Sequence, residues 1–159
     1  MKSLTQTWHS FWRLEGSERS TALKAASALV ATHMGLRLAG FRRWRSVLVW
    51  LMPAVVDLPA QPSPVLPDSA HALIRMEAAA ARHLFFRANC LEQSLVLWWM
   101  LRRHGIAADL RIGANKRAGR FEAHAWVEHC GAVLNDPDGE HRNFVPFDGP
   151  IDSMETQTH

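Results

Sequence analysis

The sequence predicts an α+β protein in which helices come first and a small antiparallel sheet follows. Three observations carry this expectation. Apolar residues recur at spacings of three and four as far as Gly105, the period then drops to two, and one proline-rich stretch divides the helical part.

The chain of 159 residues, 48% hydrophobic, is long enough for one domain with a real core and an accessory segment. Its net charge of +3 is unevenly placed, with eight Lys/Arg against three Asp/Glu in residues 1–66 and ten against twelve in residues 67–159. A basic half of this kind fits nucleic acid, an anionic surface or an acidic partner; we read it as a solvated helical face. The only cysteines, Cys90 and Cys130, are too few for a stapled secreted scaffold and predict reduced thiols in a cytoplasmic protein. Trp8, His9, Arg13 and Glu15 interrupt any signal-like run. The longest uncharged run that bears on membrane crossing, residues 46–56, contains Pro53 and is far short of the ~20 residues a span requires.

Residues 1–52 form a basic amphipathic helical segment. Within it Ser17 caps a helix whose stripe is Leu23, Ala26, Leu29, Val30, Met34 and Leu38, and residues 41–51 make a second helix flanked by Arg42, Arg43 and Arg45. Residues 53–67, with five prolines, form a linker that neither a helix nor a central strand accommodates. Residues 68–159 make the third unit. Pro67, Asp68 and Ser69 start a helix running to Leu84, and a second helix begins at Cys90 and ends before Gly105, a residue suited to the left-handed position after a helix. Between Leu95 and Leu101 this helix is apolar on every side, which makes it the central one. Strands follow at residues 108–113, at FEAHAWVE and at residues 132–136, with ANKRAGR as the first turn.

A buried cysteine usually does no more than pack. Cys90, however, opens a helix, where unpaired amides and the positive end of the dipole favour thiolate. His124 lies on one face of FEAHAWVE together with Glu122, Trp126 and Glu128. A three-residue loop, His129-Cys130-Gly131, would place Asp136 directly opposite His124, about 5 Å away between Cβ atoms. A two-residue loop would instead turn Asp136 to the other face. The first register predicts a catalytic group of Cys90, His124 and Asp136, with Asp138 in NDPDGE as a turn residue.

The run CLEQSLVLWWMLRRHGI, followed by LRIG, F.AHAWVE and G.VLND, resembles the transglutaminase-like leader peptidases of lasso-peptide biosynthesis, over about residues 84–136. The resemblance implies a papain/transglutaminase-like cysteine protease core, a central helix packed on a small antiparallel sheet, with Cys90 as nucleophile, His124 as base and Asp136 as orienting acid. It implies a stand-alone peptidase that removes the leader from a ribosomally made precursor. Its partners would be a separate leader-recognition protein and an ATP-dependent macrolactam synthetase. Leu91, Gln93, Ser94 and the Trp98-Trp99 pair match the family as packing and entrance-shaping residues.

Other classes fit the same residues. The same three residues suit a transglutaminase-like acyltransferase or deamidase, and without chemistry the domain would be a protein-binding module. No cofactor is expected, because the chain has no phosphate-binding glycine loop. Among Cys90, His124, His129 and Cys130 only one pair is close in sequence, which argues against a metal. Arg42, Arg43, Trp44 and Arg45 match no known nucleic-acid reading module, so no nucleic-acid partner is expected.

Overall fold

The computed structural model describes residues 16–52, 63–117 and 119–147. Helix α1, Gly16–Trp50, is broken at Gly40 and followed by α2, Asp68–His83, and α3, Cys90–Arg103. Strands β1, Asp109–Arg117, and β2, Arg120–His129, lead to the short β3, Ala132–Val133. A single 3-10 turn, Glu140–Asn143, and strand β4, Val145–Pro146, complete the described chain. The sheet is antiparallel in the order β3-β2-β1-β4, an α+β arrangement. Residues 53–62 of the proline-rich stretch lie outside the described residues.

The two helices read in the first 52 residues meet at Gly40, whose φ of 76° belongs to the left-handed region that glycine enters freely. Across that break Trp44 Nε1 donates to Thr32 Oγ1 at 3.2 Å, and the Trp44 ring lies where a side chain on Gly35 would be. The buried face of α1 keeps only part of the expected stripe, Leu29 with Ala26 packed against the core. Ala22, Ala25, Leu29 and Thr32 are buried, whereas Leu23 and Leu38 are 60% and 81% exposed and Met34 also faces outward. Small side chains let α1 approach its neighbours closely, and the buried Thr32 hydroxyl is matched by the indole of Trp44.

Helix α3 is central, as its all-round apolarity predicts. Leu95, Val96, Leu97, Trp98, Met100 and Leu101 are buried, and the helix packs on α1, α2, β1 and β2. It ends where Gly105 takes φ 74°, with the Ile106 amide returning to the Leu101 carbonyl.

The sheet departs from the sequence reading twice. Residues 114–117, read as part of a turn, continue β1 and pair through Arg117↔Arg120, because a polar side chain such as that of the exposed Lys116 does not break a backbone ladder. The second hairpin has a two-residue loop: His129 pairs with Ala132, and Cys130 and Gly131 both have positive φ, 48° and 79°. That turn suits the right-handed twist of the strands better than the expected three-residue loop. The register that would have set Asp136 opposite His124 is therefore absent.

Strand β3 ends after two residues and leaves an open edge on β2, which side chains close. Ser94 Oγ of α3 donates to the Ala125 carbonyl at 2.9 Å, Asn135 Oδ1 accepts the Val127 amide at 2.8 Å, and Asn135 Nδ2 donates to Ser94 Oγ at 2.9 Å. Ser94 is fully buried, so each of these groups would otherwise be an orphan.

On α2, Glu77 is buried and its Oε1 has no hydrogen-bond partner among the described residues. Burial pushes its carboxyl from 4.5 up to about 8, against the opposing pull of Arg82. The folded protein therefore holds this proton where the unfolded chain has lost it, and stability falls as pH rises from about 4.5 to about 8.

Two outcomes are expected. Ser94→Ala orphans the Ala125 carbonyl and the Asn135 amide and costs about 1–3 kcal/mol in denaturant unfolding. Glu77→Gln flattens the decline in melting temperature between pH 5 and pH 8, measured by calorimetry against wild type, with the window set by the displaced carboxyl.

Candidate active site

Cys90 is the first residue of α3 and a free, half-buried thiol. Asn89 caps the helix in a capping box: its side chain accepts the Glu92 amide at 2.9 Å, and Glu92 Oε2 accepts the Asn89 amide at 2.9 Å. The first helical hydrogen bond is donated by the Gln93 amide to the Asn89 carbonyl. Of the four amides a helix start leaves over, the box occupies two, and those of Cys90 and Leu91 are left without a hydrogen-bond partner among the described residues.

Neighbouring elements hold this helix tip from two sides. His33 of α1 approaches Glu92 Oε1 through Nδ1 at 2.8 Å and lies against Phe86, with ring centroids 4.2 Å apart. Gln93 Nε2 donates to the Ala88 carbonyl at 2.8 Å, which fixes the segment leading into Cys90 and commits that amide to packing.

Ser94 lies one turn beyond Cys90 on the same face of α3, and the carbonyl it holds belongs to Ala125, the residue after His124. This contact brings the thiol's end of α3 to the histidine's stretch of β2. The His124 ring lies between Trp126 and Phe144, with centroids 6.0 and 5.2 Å away. Its partner across the ladder is Gly113, where a Cβ would come within 3.0 Å of both the Trp126 ring and Phe144. Glycine there lets both aromatics close over the strand.

Asp136 reaches this histidine from a loop, not from the strand the sequence predicts. Asp136 Oδ2 stands 3.8 Å from His124 Nε2, an ion-pair separation too long for a hydrogen bond. His124 Nε2 is buried and has no hydrogen-bond partner among the described residues. The carboxylate is instead held by His141, whose amide and Nδ1 meet Oδ2 at 2.6 and 2.7 Å. Burial pushes the Asp136 carboxyl up, but the His141 amide and ring, the Glu140 amide and the nearby His124 outweigh it, and the net displacement is downward from 3.8. This acid is a fixed anion at neutral pH. Its contribution to stability is present above the ordinary carboxyl range and is lost as pH falls.

Asp136 and His124 thus share one region of the fold, and α3 is tied to it through Ser94, one turn beyond Cys90. Asp138 lies outside it as an exposed turn residue, with the Gly139 amide bonded to the Asp136 carbonyl at 3.1 Å. Cys130 is exposed at the tip of the second hairpin. Among the described residues no cluster of three or more His, Cys, Asp and Glu is placed to hold a metal ion. No helix among them is long and apolar enough to cross a membrane.

The sequence reading missed His141, His33 and the roles of Asn135 and Ser94. Asn89 and Glu92, at capping-box spacing before an apolar run, were open to detection by that spacing alone. His141, five residues past Asp136 and across a turn, carries no such signal.

A family model described as the transglutaminase-like superfamily matches residues 28–147. No curated protein and no solved structure matches the chain. The match takes in well over half of the sequence and contains Cys90, His124 and Asp136, and the chain therefore belongs to the transglutaminase-like superfamily, whose members are typically cysteine proteases or acyltransferases.

Proposed function

We propose that this protein is a cytoplasmic cysteine peptidase that cleaves the leader from a ribosomally made lasso-precursor peptide. In this reading Cys90 is the nucleophile, His124 the base and Asp136 the acid that orients it. The observation that carries it is the helix tip: a half-buried thiol beside two unoccupied amides, tied through Ser94 to the strand that holds His124.

The Cys90 thiolate attacks the carbonyl at the leader–core junction, and the developing oxyanion is received by the Cys90 and Leu91 amides. His124, as imidazolium, protonates the departing core amine as the C–N bond breaks. Water activated by His124 then hydrolyses the thioester and frees the leader. Asp136 faces Nε2 of His124, so Nδ1 is the nitrogen that serves the sulfur. At 3.8 Å from Nε2 the Asp136 carboxylate is placed to steady the imidazolium that the proton transfer forms.

In this reading residues 1–52 dock the recognition protein and the ATP-dependent macrolactam synthetase, residues 53–67 link them to the peptidase domain, and residues 68–159 carry the chemistry. The outward-facing Leu23, Leu38, Arg42 and Arg43 offer a mixed apolar and cationic surface for that docking. Transfer of the thioester to an amine would make the protein an acyltransferase instead, and product mass separates the two.

Two measurements examine the reading. Precursor incubated with the recognition partner and wild-type protein releases a leader of hydrolysed mass, and Cys90→Ala reduces the rate at least about 10³-fold, the scale of losing a nucleophile; undiminished cleavage would remove Cys90 from the mechanism. His33→Ala leaves the buried Glu92 carboxylate short of a partner at the helix tip. It lowers the unfolding free energy by about 1–3 kcal/mol and slows iodoacetamide labelling of Cys90 at pH 7, whereas His33→Gln restores much of the stability but less of the labelling.

A further inference from the structure

A cavity of about 590 Å³, within the size range of ligand clefts, opens between α2, the segment before α3 and the loop after β3. It borders the site just described: Ala88 and Gln93 lie on either side of Cys90 in the sequence, and Asn135 and Pro137 on either side of Asp136. Its apolar walls include Ile74 and Leu134. Two exposed guanidinium side chains, Arg82 and Arg87, line it nearer solvent. Glu77 also lines it, yet is only 1% exposed and has a carboxyl oxygen with no hydrogen-bond partner.

A buried carboxyl without a partner costs stability that an apolar side chain of similar size would not. Nothing in the packing of α2 uses its free oxygen. A group entering the cavity to meet that oxygen must hydrogen-bond, because an apolar end leaves it orphaned. It must also be uncharged at that depth. The two arginines repel a cation at the mouth, and an anion would have to shed its water beside another carboxyl.

We propose that this cavity is a side-chain subsite for the peptide substrate beside the reacting bond, selecting an uncharged side chain that ends in a hydroxyl or carboxamide for the Glu77 carboxyl to meet. The proposal rests on the peptidase reading for its placement, while the binding preference is measurable without catalysis. Burial keeps Glu77 protonated at neutral pH, so it both donates and accepts there.

The test uses full-length Cys90→Ala protein and the N-acetyl, N-methylamide derivatives of threonine, glutamine, leucine, lysine and glutamate, with binding followed by saturation-transfer NMR. The threonine or glutamine derivative binds about fivefold or more tighter than the leucine and lysine derivatives, the scale of one net hydrogen bond. Which of the two leads tells hydroxyl from carboxamide. Adding Glu77→Leu inverts the order in favour of leucine, and adding Glu77→Gln retains it. The Leu variant removes a buried acid, so its fold is expected to hold, and circular dichroism checks this. An unchanged ranking in the Leu variant, tightest binding of the glutamate derivative, or no binding of any derivative overturns the proposal. A parallel digest of the precursor by wild-type and by Cys90→Ala protein, with the recognition partner present, keeps the two readings apart. Preference in the binding arm with no Cys90-dependent cleavage upholds the subsite and removes the peptidase reading; cleavage with no Glu77-dependent preference does the reverse.

Discussion

The whole site depends on how one helix is fastened to one strand edge. Where β3 stops, β2 has unpaired backbone groups at Ala125 and Val127, and a buried edge of that kind is costly. Ser94 and Asn135 supply the missing ladder from two other parts of the chain and bond to each other while doing so. The same three hydrogen bonds fix the height of α3 against β2, and so the position of Cys90 relative to His124, and fix Asn135, and so the position of Asp136. Secondary structure alone would leave these three groups on separate elements.

Electrostatics then gives each group its task. Asp136 accepts from the His141 amide and ring and so stays ionised although it is largely buried. Because His141 already holds the nearer contact, Asp136 addresses His124 at ion-pair distance. At the helix tip the opposite problem arises, since Glu92 brings a carboxylate into the first turn. There His33, arriving from α1, takes one carboxylate oxygen while the Asn89 amide takes the other.

Helix α1 is therefore part of the same structure as the site. Its Ala25, Leu29 and Leu48 share a core with Leu73, Leu95, Trp98 and Val127, and His33 reaches the first turn of α3. Trp98 lies at the centre of this core with the guanidinium groups of Arg45 and Arg102 5.8 and 5.9 Å from its ring. Some of the basic character of the first half is thus used inside the fold, and the exposed Arg42 and Arg43 carry what is left to the surface.

The sequence by itself determined the order of elements, the central helix that opens at Cys90 and ends before Gly105, and the strand that carries His124, because hydrophobic period and helix-end chemistry are local properties. It misplaced the buried face of α1, where size suggested Leu23 and Leu38 but close approach selected Ala22 and Ala25. It also misread the second hairpin, since the choice between two- and three-residue loops rests on whether Cys130 takes positive φ, which strand twist decides. Asp136 still arrives near His124, but along a loop anchored by Asn135 and turned by Pro137 and Gly139. Only the tertiary structure decided that route, the part of His141 and the cavity at Glu77. Each depends on how side chains meet across turns and between elements, and such meetings leave no periodic trace in the chain.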